Sequence, residues 1–296
     1  ADGFAVETLK ASLLSQARLH SPYGGVYPNL AKREHEKNLP ALFEQFKDDE
    51  YDAVAVTQGP GLEPALWPGI EFAKKIAAEK KLPLIPVNRM EGHFISSMVR
   101  NGVIEGVQQP ILALLISGGH TEFVLMKEWL KYEIVGRTLD DAVGEAFDKV
   151  ARMLALPYPG GPQISKLAQQ HREAQRVGGK NGLVEAEPTR GPFLQQPVAP
   201  KLPRPMINSG TCDFSFSGLK TAALYALRDK GGIQNLSAEE IAAFSAELED
   251  AIAEVLVSKT KKALWDTGAK TFVIGGGVAA NRYIREKIEA LVLEEF

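Results

Sequence analysis

Thiols are nearly absent: the 296-residue chain holds one cysteine, Cys212. That excludes a disulfide framework and points to a reducing compartment. Cys212 has no neighbours suited to activate a nucleophile, so packing is its expected role. No apolar run reaches the roughly 18 residues of a membrane helix, and none has the pattern of a signal peptide. An excess of positive charge is missing as well. The 34 Lys and Arg face 37 Asp and Glu, for a net charge of −3. A surface coated in basic residues for nucleic acid is thereby excluded, and only a local basic patch remains open. Repeats of the solenoid kind are lacking too. What the chain does have is 45% hydrophobic residues, enough for a large core and two lobes.

Hydrophobic periodicity sets the expected elements. Phe4 to Thr8 and Lys10 to Gln16 alternate and read as a strand pair. Ala31 to Phe46 has helical spacing, with Leu39, Leu42, Phe43 and Phe46 on one side. Tyr51 to Thr57 reads as a buried strand, followed by the turn Gly59-Pro60-Gly61 and a helix from Pro64 or Pro68 to Lys80. Leu84 to Val87 is a strand and Asn88 to Met98 a helix. Glycine and polar residues collect near Asn101 to Pro110, which puts a boundary there. Residues 1–107 and 108–296 are the expected lobes. In the second, Ile111 to Leu115 is a strand, Phe123 to Met126 its hairpin partner, and Asp140 to Leu154 an amphipathic helix. Residues 156–212 form a proline-rich insertion with one helix, Gln163 to Gln175. Ser237 and Glu240 form a capping box for a helix over Ala238 to Thr267 that ends at Gly268. The strand Thr271 to Ile274 follows, and Ala279 to Arg282 opens a last helix. The two halves share an order of strands, glycine turn and helix that suggests duplication.

Two junctions carry the chemistry. The apolar run Ile111 to Leu115 enters Ile116-Ser117-Gly118-Gly119-His120-Thr121, and the strand at Thr271 enters Gly275-Gly276-Gly277. Glycine lets main-chain amides face an anion at close range. Paired bends of this kind suggest one nucleotide held between them. A plain hairpin turn between Leu115 and Glu122 is the competing reading of the first.

Several motifs stand in one order. They include Tyr23-Gly24-Gly25-Val26, Gly59-Pro60-Gly61-Leu62, Arg89-Met90-Glu91-Gly92-His93, Leu115 to Thr121, and Asp140 to Lys149 (DDAVGEAFDK). Tyr158-Pro159-Gly160-Gly161-Pro162, Phe214 to Lys220 (FSFSGLK) and Gly276 to Asn281 (GGVAAN) complete the set. Together they resemble the universal tRNA threonylcarbamoyladenosine-synthesis family, tRNA N6-adenosine threonylcarbamoyltransferases once misnamed glycoproteases. The resemblance implies an α/β, two-lobed fold of the actin-like, sugar-kinase-like (ribonuclease H-like) ATPase class, with the nucleotide in the interlobe cleft. It implies transfer of a threonylcarbamoyl group from threonylcarbamoyl-AMP to the exocyclic amine of the adenosine beside the anticodon, in tRNAs reading codons that begin with A. Against the family pattern the chain reads as a piece lacking both ends.

The same resemblance assigns residues. The backbone of Leu115, Ile116, Ser117, Gly118 and Gly119 would hold the adenylate-type substrate, Asp148 its ribose, and Gly161 would approach the same ligand. Asn281 would contact it while capping a helix. For Asp148 the bland alternative is a solvated helix charge, for Gly161 a loop glycine. No catalytic residue is singled out. The family holds Fe2+ or Zn2+ with two histidines one helical turn apart plus a later aspartate. Here His93 keeps the second position, Arg89 stands at the first, and the aspartate is expected beyond Phe296. Arginine keeps its proton and cannot ligate a cation. Three accounts of Arg89 stay open: an isolated substitution in an active lineage, a metal-free variant whose guanidinium clamps phosphate or carboxylate, and a degraded paralogue.

Expected partners are tRNA, threonylcarbamoyl-AMP and, in bacteria, an inactive homologue and a small ATPase, with no membrane and a cytoplasmic location. Lys259, Lys261, Lys262, Arg282, Arg285, Lys201 and Arg204 are the candidate basic contacts for tRNA. Two other classes remain: an actin-fold small-molecule kinase and a non-catalytic nucleotide-binding scaffold. A peptidase is disfavoured, since its zinc pattern H-E-x-x-H is absent.

Overall fold

The computed structural model describes residues 5–180 and 199–296. Two sheets organise them. The first has two parallel strands, β1 (Val54–Gly59) and β2 (Leu84–Asn88). The chain reaches β1 through the short α1 (Ala17–His20) and α2 (Pro28–Phe43), and crosses from β1 to β2 through α3 (Glu63–Lys80). Pro64 sits in the first turn of α3, where a missing N–H costs nothing. Lys81 in a left-handed conformation (φ 57°) ends it. The helices α2 and α3 pack together, with Phe43 edge-on to Phe72 at 5.7 Å between ring centres. Asn88 then caps α4 (Arg89–Met98), its Oδ1 accepting from the Met90 and Glu91 amides.

The second sheet has the order β5-β4-β3-β6, from β3 (Ile111–Ile116), β4 (Thr121–Glu128), β5 (Lys131–Arg137) and β6 (Thr271–Gly275). β3 is antiparallel to β4 and parallel to β6. Every residue of β3 is buried, because alternate side chains enter different cores. Leu112, Leu114 and Ile116 face a large core shared with α5 (Val143–Met153), α7 (Ser217–Asp229), α8 (Ala238–Thr267) and α9 (Arg282–Glu295). Ile111, Ala113 and Leu115 face Phe94 and Met98 of α4. Thus α4 leads directly from the end of the two-stranded sheet onto the four-stranded one. α6 (Gly160–Lys180) packs along α8. The capping box of α8 forms as expected, and Gly268 (φ 58°) terminates the helix.

Several expectations are corrected. Among the described residues no strand pair exists near the start. Phe4 lies outside the described residues, Ala5 makes a single bridge to Val103, and residues 6–16 join no strand. Leu9 and Leu13 there are 83% and 91% exposed, so the alternation has no sheet to bury it. The helix expected from Asp140 begins at Val143, because Asp140 is used elsewhere. Its carboxylate accepts from Ser215 Oγ, Ser217 Oγ and the Phe216 and Ser217 amides. The helix expected over Gln163 to Gln175 starts three residues earlier, at Gly160, and runs to Lys180. Much of the proline-rich insertion, residues 181–198, lies outside the described residues. Ala279 and Ala280 belong to a short 3-10 turn, Gly277–Ala280, and α9 begins only at Arg282. The suggested duplication has no support among the described strands. β1 and β2 are parallel through a helix, whereas β3 and β4 are an antiparallel hairpin.

Candidate functional site

The ends of β3 and β6 build the site. Their parallel register sets Leu115 opposite Gly275, so the bends that follow emerge side by side. The first bend is a hairpin turn: Ser117 N donates to His120 O at 2.8 Å, and His120 N to Ser117 Oγ at 3.1 Å. The plain-turn reading is therefore correct as geometry, and the junction is not strand to helix. The turn nevertheless leaves the amides of exposed Gly118 and Gly119 without a hydrogen bond to the described chain. Behind it stands the start of α5. Gly144 N donates to Ser117 O at 3.2 Å, Val143 N to Thr121 Oγ1 at 2.9 Å, and a β-carbon on Gly144 would stand 2.6 Å from Gly118 Cα.

The second bend turns at Gly276 (φ 91°), against the carbonyl of Ile116. A β-carbon on Gly275 would stand 2.8 Å from His93 O, so α4 reaches the same place. On α4, Arg89 and His93 are one turn apart on one face. Arg89 Nη2 lies 3.4 Å from where a β-carbon on Gly61 would stand, at the turn after β1. Burial and then the Arg89 charge hold the His93 imidazole below its ordinary pKa. His120 is lowered by burial, Arg89 and His93, against an opposing pull from Glu145. His120 and Glu145 are members of this group that the sequence reading missed. The available signal was that His120 directly follows the glycine pair.

The remaining expected residues are also placed. Asp148, on α5 one turn beyond Gly144, accepts at Oδ1 from Gly160 N at 2.7 Å and so caps α6. Burial raises its carboxyl above the ordinary range, against the Gly160 and Gly161 amides that favour its charge. It lines a cavity of about 240 Å³ with Tyr23, Gly24, Arg152 and Tyr158. Gly161 lies in the first turn of α6, beside the same carboxylate. Asn281 is occupied at both ends: Oδ1 accepts from Ile284 N at 3.0 Å, and Nδ2 donates to Glu249 Oε1 at 2.7 Å. Glu249 is itself fully buried against Arg172 at 2.6 Å.

A sequence profile of tRNA N6-adenosine threonylcarbamoyltransferase matches residues 7–296. A protein of that name from Polynucleobacter necessarius subsp. necessarius is 43% identical over 290 residues, covering 95% of this chain and 74% of its own length. One from Thermosipho africanus is 41% identical over 283 residues, covering 94% and 76%, and one from Aromatoleum aromaticum 38% over 299, covering 97% and 78%. The chain belongs to the tRNA N6-adenosine threonylcarbamoyltransferase family. It is thus a transferase of tRNA modification, and the kinase and scaffold readings are not favoured.

Among the described residues the family's metal site is not assembled, and most of the candidate basic contacts are engaged within the chain. Among the described residues no group of three His, Cys, Asp or Glu could hold a metal ion. His93 stands beside a permanent guanidinium charge, which repels a cation and offers it no lone pair. The residues present do not fit the family's Fe2+ or Zn2+. Of the candidate basic contacts, Lys201 is exposed with no ion pair among the described residues, and the other six are engaged. Lys259 is buried and donates to Ser209 Oγ at 2.7 Å and Thr211 O at 2.6 Å. Lys261 pairs with Glu295, Lys262 with Asp266, Arg282 with Glu286, and Arg204 with Glu247 and Glu254. Arg285 donates to Ala279 O at 2.9 Å. Cys212 is buried, with its Sγ 3.6 Å from Asp266, in keeping with a packing role. Among the described residues no helix is long and apolar enough to cross a membrane.

Proposed function

We propose that this chain transfers threonylcarbamoyl from threonylcarbamoyl-AMP to the N6 amine of the adenosine beside the tRNA anticodon, in the crevice where β3, β6 and α4 converge. The observation that carries the reading is the abutment of Gly276 on Ile116, which sets two glycine bends at one crevice, the free Gly118 and Gly119 amides among them. Amides fixed in this way neutralise a phosphate without reorganising. In this reading the crevice lies between two lobes of an actin-like fold, residues 1–107 and 108–296.

The reaction asks little covalent chemistry of the protein. The N6 amine bonds to the carbamoyl carbon, the bond from that carbon to the phosphate oxygen breaks, AMP leaves with the electron pair, and the amine proton passes to water. The backbone of Leu115 to Gly119 holds the phosphate side. Asp148 takes the ribose hydroxyls as a double acceptor, with Gly161 alongside. Asn281 acts by fixing the start of α9 behind the second bend. Adenine must leave its stack to reach the crevice, at a cost of a few kcal/mol. With a net charge of −3, the chain gains tRNA affinity from partner subunits, an inactive homologue and a small ATPase, in the cytoplasm.

The deciding experiment mixes the protein with chemically prepared threonylcarbamoyl-AMP and an anticodon stem-loop RNA. Mass spectrometry of the digested RNA should find threonylcarbamoyladenosine at the position beside the anticodon. Unmodified adenosine with the partner subunits also present overturns the proposal.

A further inference from the structure

The group formed by Arg89, His93 and His120 is unusual in its charge balance. Arg89 has no ion pair or hydrogen bond among the described residues, although most basic side chains around α8 and α9 have one. Among the described residues, Glu145 is the acidic side chain that acts on His120, and none acts on His93. The guanidinium stands at the first turn of α4, over the Gly59-Pro60-Gly61 turn. It borders a cavity of about 470 Å³ whose other walls include Val26, Leu62, Leu66, Tyr158 and Pro159. A permanent planar cation with no partner of its own, lining a largely apolar cavity, suits a small molecule with a carboxylate and a short side chain.

We propose that Arg89, one helical turn from His93, binds the carboxylate of the threonyl moiety directly, so that substrate binding in this chain needs no metal ion. The proposal rests on the adenylate-site reading above, which puts the phosphate on the glycine amides and so leaves the carboxylate for Arg89. The guanidinium fork donates two parallel hydrogen bonds to the two carboxylate oxygens, which an ammonium cannot reproduce. The threonyl methyl then meets the apolar wall at Leu62 and Val26.

Calorimetric titration of the chelator-treated full chain tests this with two probes, N-carbamoyl-L-threonine and AMP. The wild-type protein should bind both, and added Zn2+ or Fe2+ should change neither. Arg89→Gln should weaken N-carbamoyl-L-threonine about tenfold to a hundredfold and leave AMP unchanged, with Arg89→Lys between the two. Arg89 is exposed and unpaired, so both variants fold, which circular dichroism checks. The clamp is overturned if Arg89→Gln weakens only AMP, weakens neither probe, or if wild-type binding of N-carbamoyl-L-threonine is absent or needs metal. Absence of AMP binding as well would overturn the adenylate-site reading along with it.

Discussion

Gly276 lies against the main-chain carbonyl of Ile116 so closely that no β-carbon has room between them. The contact follows from pairing. β3 and β6 run parallel with Leu115 opposite Gly275, and the next residue of each chain begins its bend. A glycine there satisfies two demands at once, the approach to Ile116 and a φ of 91°.

The first prediction concerns this glycine and its neighbour. Gly276→Ala must both adopt a disfavoured φ and push Ile116 away, so it should destabilise the chain by about 1–3 kcal/mol and weaken AMP binding. Gly277→Ala meets nothing within 4 Å and has no left-handed φ, so its stability should stay within about 0.5 kcal/mol of wild type. Urea denaturation and AMP titration of the two variants make the comparison. Equal stability would show that the close approach is not a constraint.

Asp140 ties the end of the four-stranded sheet to α7 and gives the fold an acid-sensitive joint. Partial burial pushes its pKa up, but the Ser215 and Ser217 hydroxyls and the Phe216 and Ser217 amides outweigh that, so its carboxyl titrates below the ordinary range. A depressed folded pKa means stability that is present above the unfolded value and lost as pH falls through the folded one, here below about pH 4. Asp140→Ala should cost about 1–3 kcal/mol at neutral pH and flatten the acid limb of a stability–pH curve. An unchanged acid limb in the variant would remove Asp140 from this role.

The parts of this structure legible in the sequence are those with a local cause. β3 announces itself as an unbroken apolar run, and the Ser237–Glu240 box and Gly268 mark both ends of α8. What was misread depends on distant partners. The alternation over residues 6–16 implies a strand only if a sheet stands beside it. Lys261 and Arg204 look like free cations until Glu295 and Glu254 fold against them, 34 and 50 residues away. His120 joins His93 and Arg89 because the β3–β4 hairpin and α4 meet, and no spacing within one segment predicts that.

Asp148 allows its two roles to be separated. Asp148→Asn keeps an oxygen to cap α6 through Gly160 but removes the charge, so stability should change by less than about 1 kcal/mol. AMP affinity should fall about tenfold, since the amide offers fewer acceptor sites to the ribose hydroxyls. In the wild type the carboxyl titrates above its ordinary value because burial disfavours its charge. The ionised form is the better acceptor, so AMP affinity should decline as pH falls through that raised pKa, and Asp148→Asn should lack the decline. A pH series of AMP titrations reads both. Loss of folding with intact AMP affinity in the folded fraction would make Asp148 a cap alone.

Lys259 decides between a tRNA contact and an internal tether. Its Nζ is buried and donates to Ser209 Oγ and Thr211 O. Burial holds its pKa below the ordinary lysine value. The folded state therefore holds this proton less tightly than the unfolded one, so its contribution makes stability rise as pH climbs through the lowered pKa toward about 10.4. Lys259→Met strands both acceptors and should cost about 1–3 kcal/mol while removing that alkaline rise. Because Nζ faces inward, the salt dependence of tRNA binding, measured with the partner subunits present, should keep its slope. A slope reduced by about one would mean that Lys259 neutralises a phosphate after all.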